Sequence, residues 1–178
     1  MRTLAKRPSL KRQRGVAIVE FAIIASLLLA FIYAIFEFGR MMYVYNTMQE
    51  ISRRAARAAT VRWISSSDIA AIKSTALFGA SVLPGGPEIR DSNIFIRYLR
   101  SNGVDEVSSP PIDAGDNLSA CNDALRTSEC IMYVEVSVKN VEYKPLIFKA
   151  GAVTATRPTN AMPQATTVVY AESLGFTN

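Results

Sequence analysis

Histidine is absent from the 178 residues. That excludes His-ligated metal sites and every Ser-His or Cys-His nucleophile pair. Cysteine occurs only at Cys121 and Cys130, short of a metal quartet. Charge is absent from Phe21 to Phe36, and from Val16 to Phe36 the only charge is Glu20. Residues 1–14 contain no acid, and residues 37–62 contain no proline and only Gly39. No phosphate-binding loop is present. These gaps argue against an enzyme and predict no cofactor, no metal and no small-molecule substrate.

What is present begins with a long apolar stretch. The 21 residues from Val16 to Phe36 rise about 31 Å as a helix, enough for a hydrocarbon core of about 30 Å. The length allows one membrane segment and one small domain.

The net charge of +5 and pI of about 9.4 are misleading. Arg2, Lys6, Arg7, Lys11, Arg12 and Arg14 supply six of the 20 basic residues, leaving 14 against 15 acidic residues in the remainder. A basic tail also suits nucleic acid. Directly before a spanning segment, retention of the N-terminus in the cytoplasm is the better reading, and no nucleic-acid partner is expected. The far flank carries Arg40, Arg53 and Arg54 by residue 55, so the bias is six against three. A secretory signal peptide is the rival. The apolar run is too long for one, no small-residue cleavage site closes it, and Glu20 lies inside it.

Glu20 is the odd residue. A carboxylate inside an apolar segment costs roughly 2.5–3.5 kcal/mol near the centre of a span, less near the end, where it can snorkel. It is least costly beside a cation. Cleavage after Gly15 would create an ammonium at Val16, four residues from Glu20, available in the same chain or to a neighbour slightly out of register. An ordinary single-pass anchor is the plain alternative, and it gives Glu20 no task.

The run Arg14-Gly15-Val16-Ala17-Ile18-Val19-Glu20-Phe21 resembles the leader and processing site of type IV pilin-like proteins. With Phe36-Glu37-Phe38-Gly39-Arg40 it resembles the TadE-like (TadE/TadF) pseudopilins of the Flp, or tight adherence (Tad), pilus. The resemblance covers roughly residues 12–60. It implies cleavage by prepilin peptidase between Gly15 and Val16, and charge compensation at Glu20 with Phe21 beside it. It also implies a helix motif at Glu37, Phe38, Gly39 and Arg40. The implied partners are the inner membrane, the peptidase, other pilin-like subunits and Tad assembly proteins. Classical pilins have a larger C-terminal disulfide loop than this chain offers. TadF-like proteins and the start of TadG-like proteins share the helix motif; the short chain ending in a small sheet domain favours TadE.

Beyond the span the helix should continue to about Arg62, near 47 residues and roughly 70 Å. Gly39 is a candidate bend, and Tyr43 and Tyr45 suit a membrane interface. Met41, Met42, Val44, Tyr45, Met48, Ile51, Ala55, Ala58 and Ala59 recur at helical spacing. Glu50 and Arg54 form an i,i+4 pair in the favourable order. Arg53–Ala59 reads first as a packing face of small residues with solvated arginines, then as a contact to anionic lipid, last as nucleic-acid binding. Ala22, Ala25, Ser26, Ala30 and Ala34 suit helix packing in lipid.

A second helix is expected over Asp68–Phe78, capped by Ser67 or Asp68 and ended by Gly79. Pro84-Gly85-Gly86-Pro87 predicts a loop. Strands are expected at 93–99, 131–143, 152–157 and 165–172, paired antiparallel. On the 131–143 strand, Val134, Val136 and Val138 should face one way and Tyr133, Glu135, Ser137 and Lys139 the other. Residues 101–130 read as a long polar loop. Cys121 and Cys130 close a ten-residue ring in it, and an extracytoplasmic location permits their disulfide, worth about 2–3 kcal/mol. Asp113, Asp116 and Asp123 match no calcium-loop pattern and read as solvated acids.

The expectation is therefore an α+β, pilin-like chain. Residues 1–15 form a basic leader, 16–38 a transmembrane helix, 39–62 its periplasmic extension and 63–178 a small α+β periplasmic domain. It serves as a minor pilin-like subunit aiding pilus assembly and adherence. A single-pass membrane protein with a periplasmic binding or sensing module is the alternative.

Overall fold

The computed structural model describes residues 13–146, 161–171 and 174–175. Among them are three helices and five strands, so the fold is α+β: a long apolar helix followed by small antiparallel sheets. Two compact units divide the chain, Met1–Arg40 and Met41–Asn178.

Helix α1 (Gln13–Thr60) runs for 48 residues and through Gly39 without interruption. Its ends fall within three residues of those the hydrophobic pattern predicts. In the first unit its large apolar side chains are exposed all round, from Val16 and Phe21 to Phe36. In the second unit its character changes. Val44, Met48, Ile51, Ala55 and Ala59 are fully buried, three or four residues apart, which puts them on one stripe. Full burial of a side chain such as Met48 or Ile51 contributes about 1.5–3 kcal/mol. The helix ends where the Thr60 hydroxyl donates to Arg57 O at 2.9 Å and Leu174 N–H donates to Thr60 O at 2.8 Å.

Helix α2 (Ser66–Ala76) starts earlier than expected because Ser65, not Ser67 or Asp68, is its cap. The Ser65 hydroxyl oxygen accepts from Asp68 N–H at 3.0 Å, and Asp68 accepts the Ser65 hydroxyl proton in return. Phe78 and Gly79 take positive φ, and Gly79 N–H closes onto Ser74 O.

The expected loop at Pro84–Pro87 is instead part of a hairpin. Strands β1 (Val82–Leu83) and β2 (Gly86–Arg90) pair antiparallel. Pro84 and Gly85 make the link, Gly85 with φ +76°. Pro87 is tolerated in β2 because both strands of a two-stranded sheet are edges, where a missing N–H costs little. The Tyr43 hydroxyl donates to Pro84 O at 2.9 Å, tying the turn to α1.

Strands β3 (Ile94–Leu99), β4 (Tyr133–Val138) and β5 (Ala165–Tyr170) form an antiparallel sheet in that order. Ile96, Val136 and Thr167 lie in register across it. Strand alternation puts Ile94, Ile96, Tyr98, Val134, Val136, Val138, Ala165 and Val169 on the face that joins the core with α1. On the other face Arg97 bridges Glu135 at 3.3 Å and Glu106 at 3.2 Å, and Tyr133 meets Tyr170 edge-on. Strand β4 is shorter than the 131–143 expectation, and Asn140 turns the chain with φ +60°. The strand expected at 152–157 lies outside the described residues.

The 101–130 segment is not wholly loop. It contains α3 (Ala114–Asn122), whose N-cap Asp113 accepts from Asp116 N–H at 2.7 Å. Two turns of helix with Gly115, Asp116 and two asparagines have low intrinsic propensity. Tertiary contacts through Asn117 and Ala120, both buried, hold it instead.

Candidate functional site

Within the first unit, the chain offers a helix long and apolar enough to cross a membrane, with none of that apolar window buried. Phe21, Leu27, Phe31 and Phe36 are 73 %, 66 %, 66 % and 68 % exposed. Such a ring of side chains is stable in hydrocarbon and unstable in water. The Ser26 hydroxyl is satisfied locally, donating to Ile23 O at 2.8 Å.

Glu20 has no hydrogen-bond or ion-pair partner among the described residues. It shares an open groove on the helix surface with Gly15, Val16, Val19 and Ile23. Val16 and Glu20 are one turn apart on the same face. This unpaired carboxylate on a lipid-compatible surface is the chemical feature of the unit, and it calls for a cation. Phe21 points outward beside it. Gly15 is helical and open: a methyl group there would meet nothing within 4 Å.

At the other end of this unit Glu37 and Arg40 approach to 3.9 Å as an i,i+3 pair, both side chains mostly covered. Phe38 is exposed and Gly39 has open space around it.

Residues 15–57 match the family model of TadE-like proteins. Neither a curated protein sequence nor a solved structure matches the chain. The TadE-like segment covers Gly15, Glu20 and the Glu37–Arg40 motif, and extends along the buried stripe of α1 nearly to its end. The match is confined to this segment, which is also the helix long and apolar enough to cross a membrane.

Outside the TadE-like segment the structure joins Cys121 and Cys130 in a disulfide. The three aspartates nearby have local duties. Asp113 caps α3, Asp116 pairs with Arg126 at 2.9 Å and accepts from Ile112 N–H, and Asp123 accepts from Leu125 N–H. The Arg126 guanidinium, and then the Ile112 N–H, hold the Asp116 carboxyl below its usual pKa. Arg126 also bonds Glu129 at 2.8 Å.

Two polar contacts escaped the sequence reading. Buried Ser52 lies 2.8 Å from the Thr167 hydroxyl, and buried Asn117 bonds the backbone of Ile131. Ser52 carried a faint signal, since it follows Ile51 at the edge of the buried stripe. Asn117 carried none, because its partner is 14 residues away.

Proposed function

We propose that this chain is a minor pilin-like structural subunit of a Tad pilus assembly machinery, cut by prepilin peptidase between Gly15 and Val16. The observation that carries the reading is the unpaired Glu20 carboxylate, one helical turn from Val16, inside a TadE-like segment. Cleavage supplies the missing cation as the new Val16 ammonium. A carboxylate and an ammonium that would each be costly in hydrocarbon then neutralise one another. When the pair forms between neighbouring chains it also fixes the register of their apolar helices. Phe21 and the small residues Ala22, Ala25 and Ala30 supply the lateral contact.

The orientation follows from the basic residues 1–14, which stay in the cytoplasm, placing Met41–Asn178 in the periplasm. An oxidising periplasm suits the Cys121–Cys130 disulfide. The role is structural: the chain is a peptidase substrate and a packing partner, not a catalyst.

The test is the mature N-terminus, read by mass spectrometry of the protein from its native membrane. A chain starting at Val16 supports the reading. A chain that keeps residues 1–14 overturns the processing claim and leaves a single-pass anchored domain. A start beyond residue 30 means secretion, and the role given to Glu20 falls.

A further inference from the structure

Two surfaces of the Met41–Asn178 unit carry opposite charge. Residues 101–130 hold six carboxylates, Asp105, Glu106, Asp113, Asp116, Asp123 and Glu129, against one cation, Arg126. Arg126 bridges Asp116 and Glu129, and Arg97 bridges Glu106 and Glu135. Asp105, Asp113 and Asp123 have no cation partner among the described residues. In the same segment Ile112, Leu118 and Leu125 are 86 %, 58 % and 92 % exposed. The segment is nevertheless firmly built, by the disulfide, the Arg126 bridges and the Asn117 clamp on Ile131. Order of this kind gives a docking surface a fixed shape before it meets a partner.

The opposite charge lies on α1. Residues 51–62 contain Arg53, Arg54, Arg57 and Arg62 and no carboxylate. Arg54 is engaged, bonding Glu50 at 2.8 Å and lying over the Phe78 ring at 4.2 Å. Arg53 and Arg57 are exposed, and the side chain of neither makes a hydrogen bond or ion pair among the described residues. They stand four residues apart on one face, where like charges repel. Their field reaches Glu50, whose pKa is lowered chiefly by its bond to Arg54 and further by both arginines.

We infer that this chain associates head-to-tail with a second copy of itself, the acidic, leucine-bearing 105–129 segment of one copy docking on the Arg53–Arg57 face of the next. The two complementary surfaces belong to one chain, so a second copy satisfies both. Since the patches differ, the contact is heterologous, and repetition builds a ring or an open row rather than a closed dimer. An anionic membrane would suit the two arginines but would repel the carboxylates and leave Leu118 and Leu125 uncovered. This deepens the structural-subunit reading and rests on it for its purpose, while the test below reads contact between copies and not N-terminal processing.

The test uses the full chain in detergent micelles, with the disulfide intact and two differently tagged versions. One variant carries Arg53→Glu and Arg57→Glu, the other Leu118→Lys and Leu125→Lys. All four positions are on the surface, and fluorescence of the single tryptophan, Trp63, checks that each variant folds. The wild type should capture its differently tagged copy, less so as salt rises. Each variant alone should lose self-capture by about tenfold or more. Mixing the two variants should restore pairwise capture, because the unaltered 105–129 segment of the first then meets the unaltered Arg53–Arg57 face of the second. A wild type that stays monomeric, variants that self-capture normally, or a mixture that fails to recover would each overturn the proposal. So would an Arg53→Glu, Arg57→Glu variant that loses binding to phosphatidylglycerol vesicles while self-capture is unchanged, which would assign that face to lipid.

Discussion

Asn117 turns both ends of its amide to the backbone of one residue. Its Oδ1 accepts from Ile131 N–H at 2.9 Å, and its Nδ2 donates to Ile131 O at 3.3 Å. The side chain stands in for a neighbouring strand, just before β4 begins. Asn117 and Ile131 are both buried, so water cannot replace either bond.

Asn117→Ala should therefore destabilise the Met41–Asn178 unit. It leaves a buried N–H and a buried C=O unpaired, which costs about 1–3 kcal/mol for each unsatisfied group. The denaturant midpoint of the full chain in micelles, followed by Trp63 fluorescence, measures it. An unchanged midpoint would show that the clamp contributes nothing.

Removing the disulfide acts on the same region through the unfolded chain. A Cys121→Ser, Cys130→Ser double variant frees a ten-residue ring, worth about 2–3 kcal/mol in the chain-entropy account. Adding a reductant to the wild type should lower its midpoint to that of the double variant and leave the double variant unaffected. Because the Asn117 clamp and the disulfide adjoin one another, the losses in a triple variant should not add.

Tyr98 is nearly fully buried in the core, and its hydroxyl has no hydrogen-bond partner among the described residues. Burial, and to a lesser degree the Asp68 charge, push its pKa up to about 12. The folded state thus holds the phenol neutral where the unfolded chain, with a tyrosine pKa near 10, has ionised it. Its stability is fully present below about pH 10 and is lost as pH rises toward 12, at about 1.4 kcal/mol per pH unit. Tyr98→Phe should flatten this alkaline decline. At neutral pH it should be neutral or stabilising, since it removes an unpaired hydroxyl. A stability profile from pH 8 to 12 for both proteins decides it, and parallel profiles would refute it.

Where local periodicity and core burial coincide, the chain was legible in advance. The Val44–Ala59 stripe and the alternation of Val134, Val136 and Val138 each place apolar residues at the spacing their element requires, and α1, β3, β4 and β5 follow. Helix α3 was not legible, because no apolar period marks Ala114–Asn122 and its anchor is a polar contact with Ile131. The β1–β2 hairpin was masked by Pro84 and Pro87, which signal a break while the pairing partner comes from a strand only two residues long. Glu20 stood out because charge is so rare around it. A partner for Glu20 was not legible, and none lies among the described residues; under the proposed function it is the Val16 ammonium, which no side chain supplies.

Gly15→Ala separates recognition from folding. Gly15 is helical, and an added methyl meets nothing within 4 Å. Alanine also favours helix over glycine by about 1 kcal/mol. The substitution should therefore leave the chain folded and inserted, and any effect must come from the peptidase. Accumulation of the uncut form, seen as a mass that retains residues 1–14, is the expected result. Normal cutting would show that the glycine is not read. Glu20→Ala is the complementary variant. It removes the carboxylate and leaves the Gly15–Val16 bond unchanged, so cutting and insertion should proceed while pilus assembly fails. Glu20→Asp keeps the charge but shortens its reach, and should recover assembly in part. If Glu20→Ala cells pilate normally, the ammonium at Val16 is neutralised by something other than Glu20, and the pairing that gives the glycine, the apolar helix and the carboxylate one purpose is wrong.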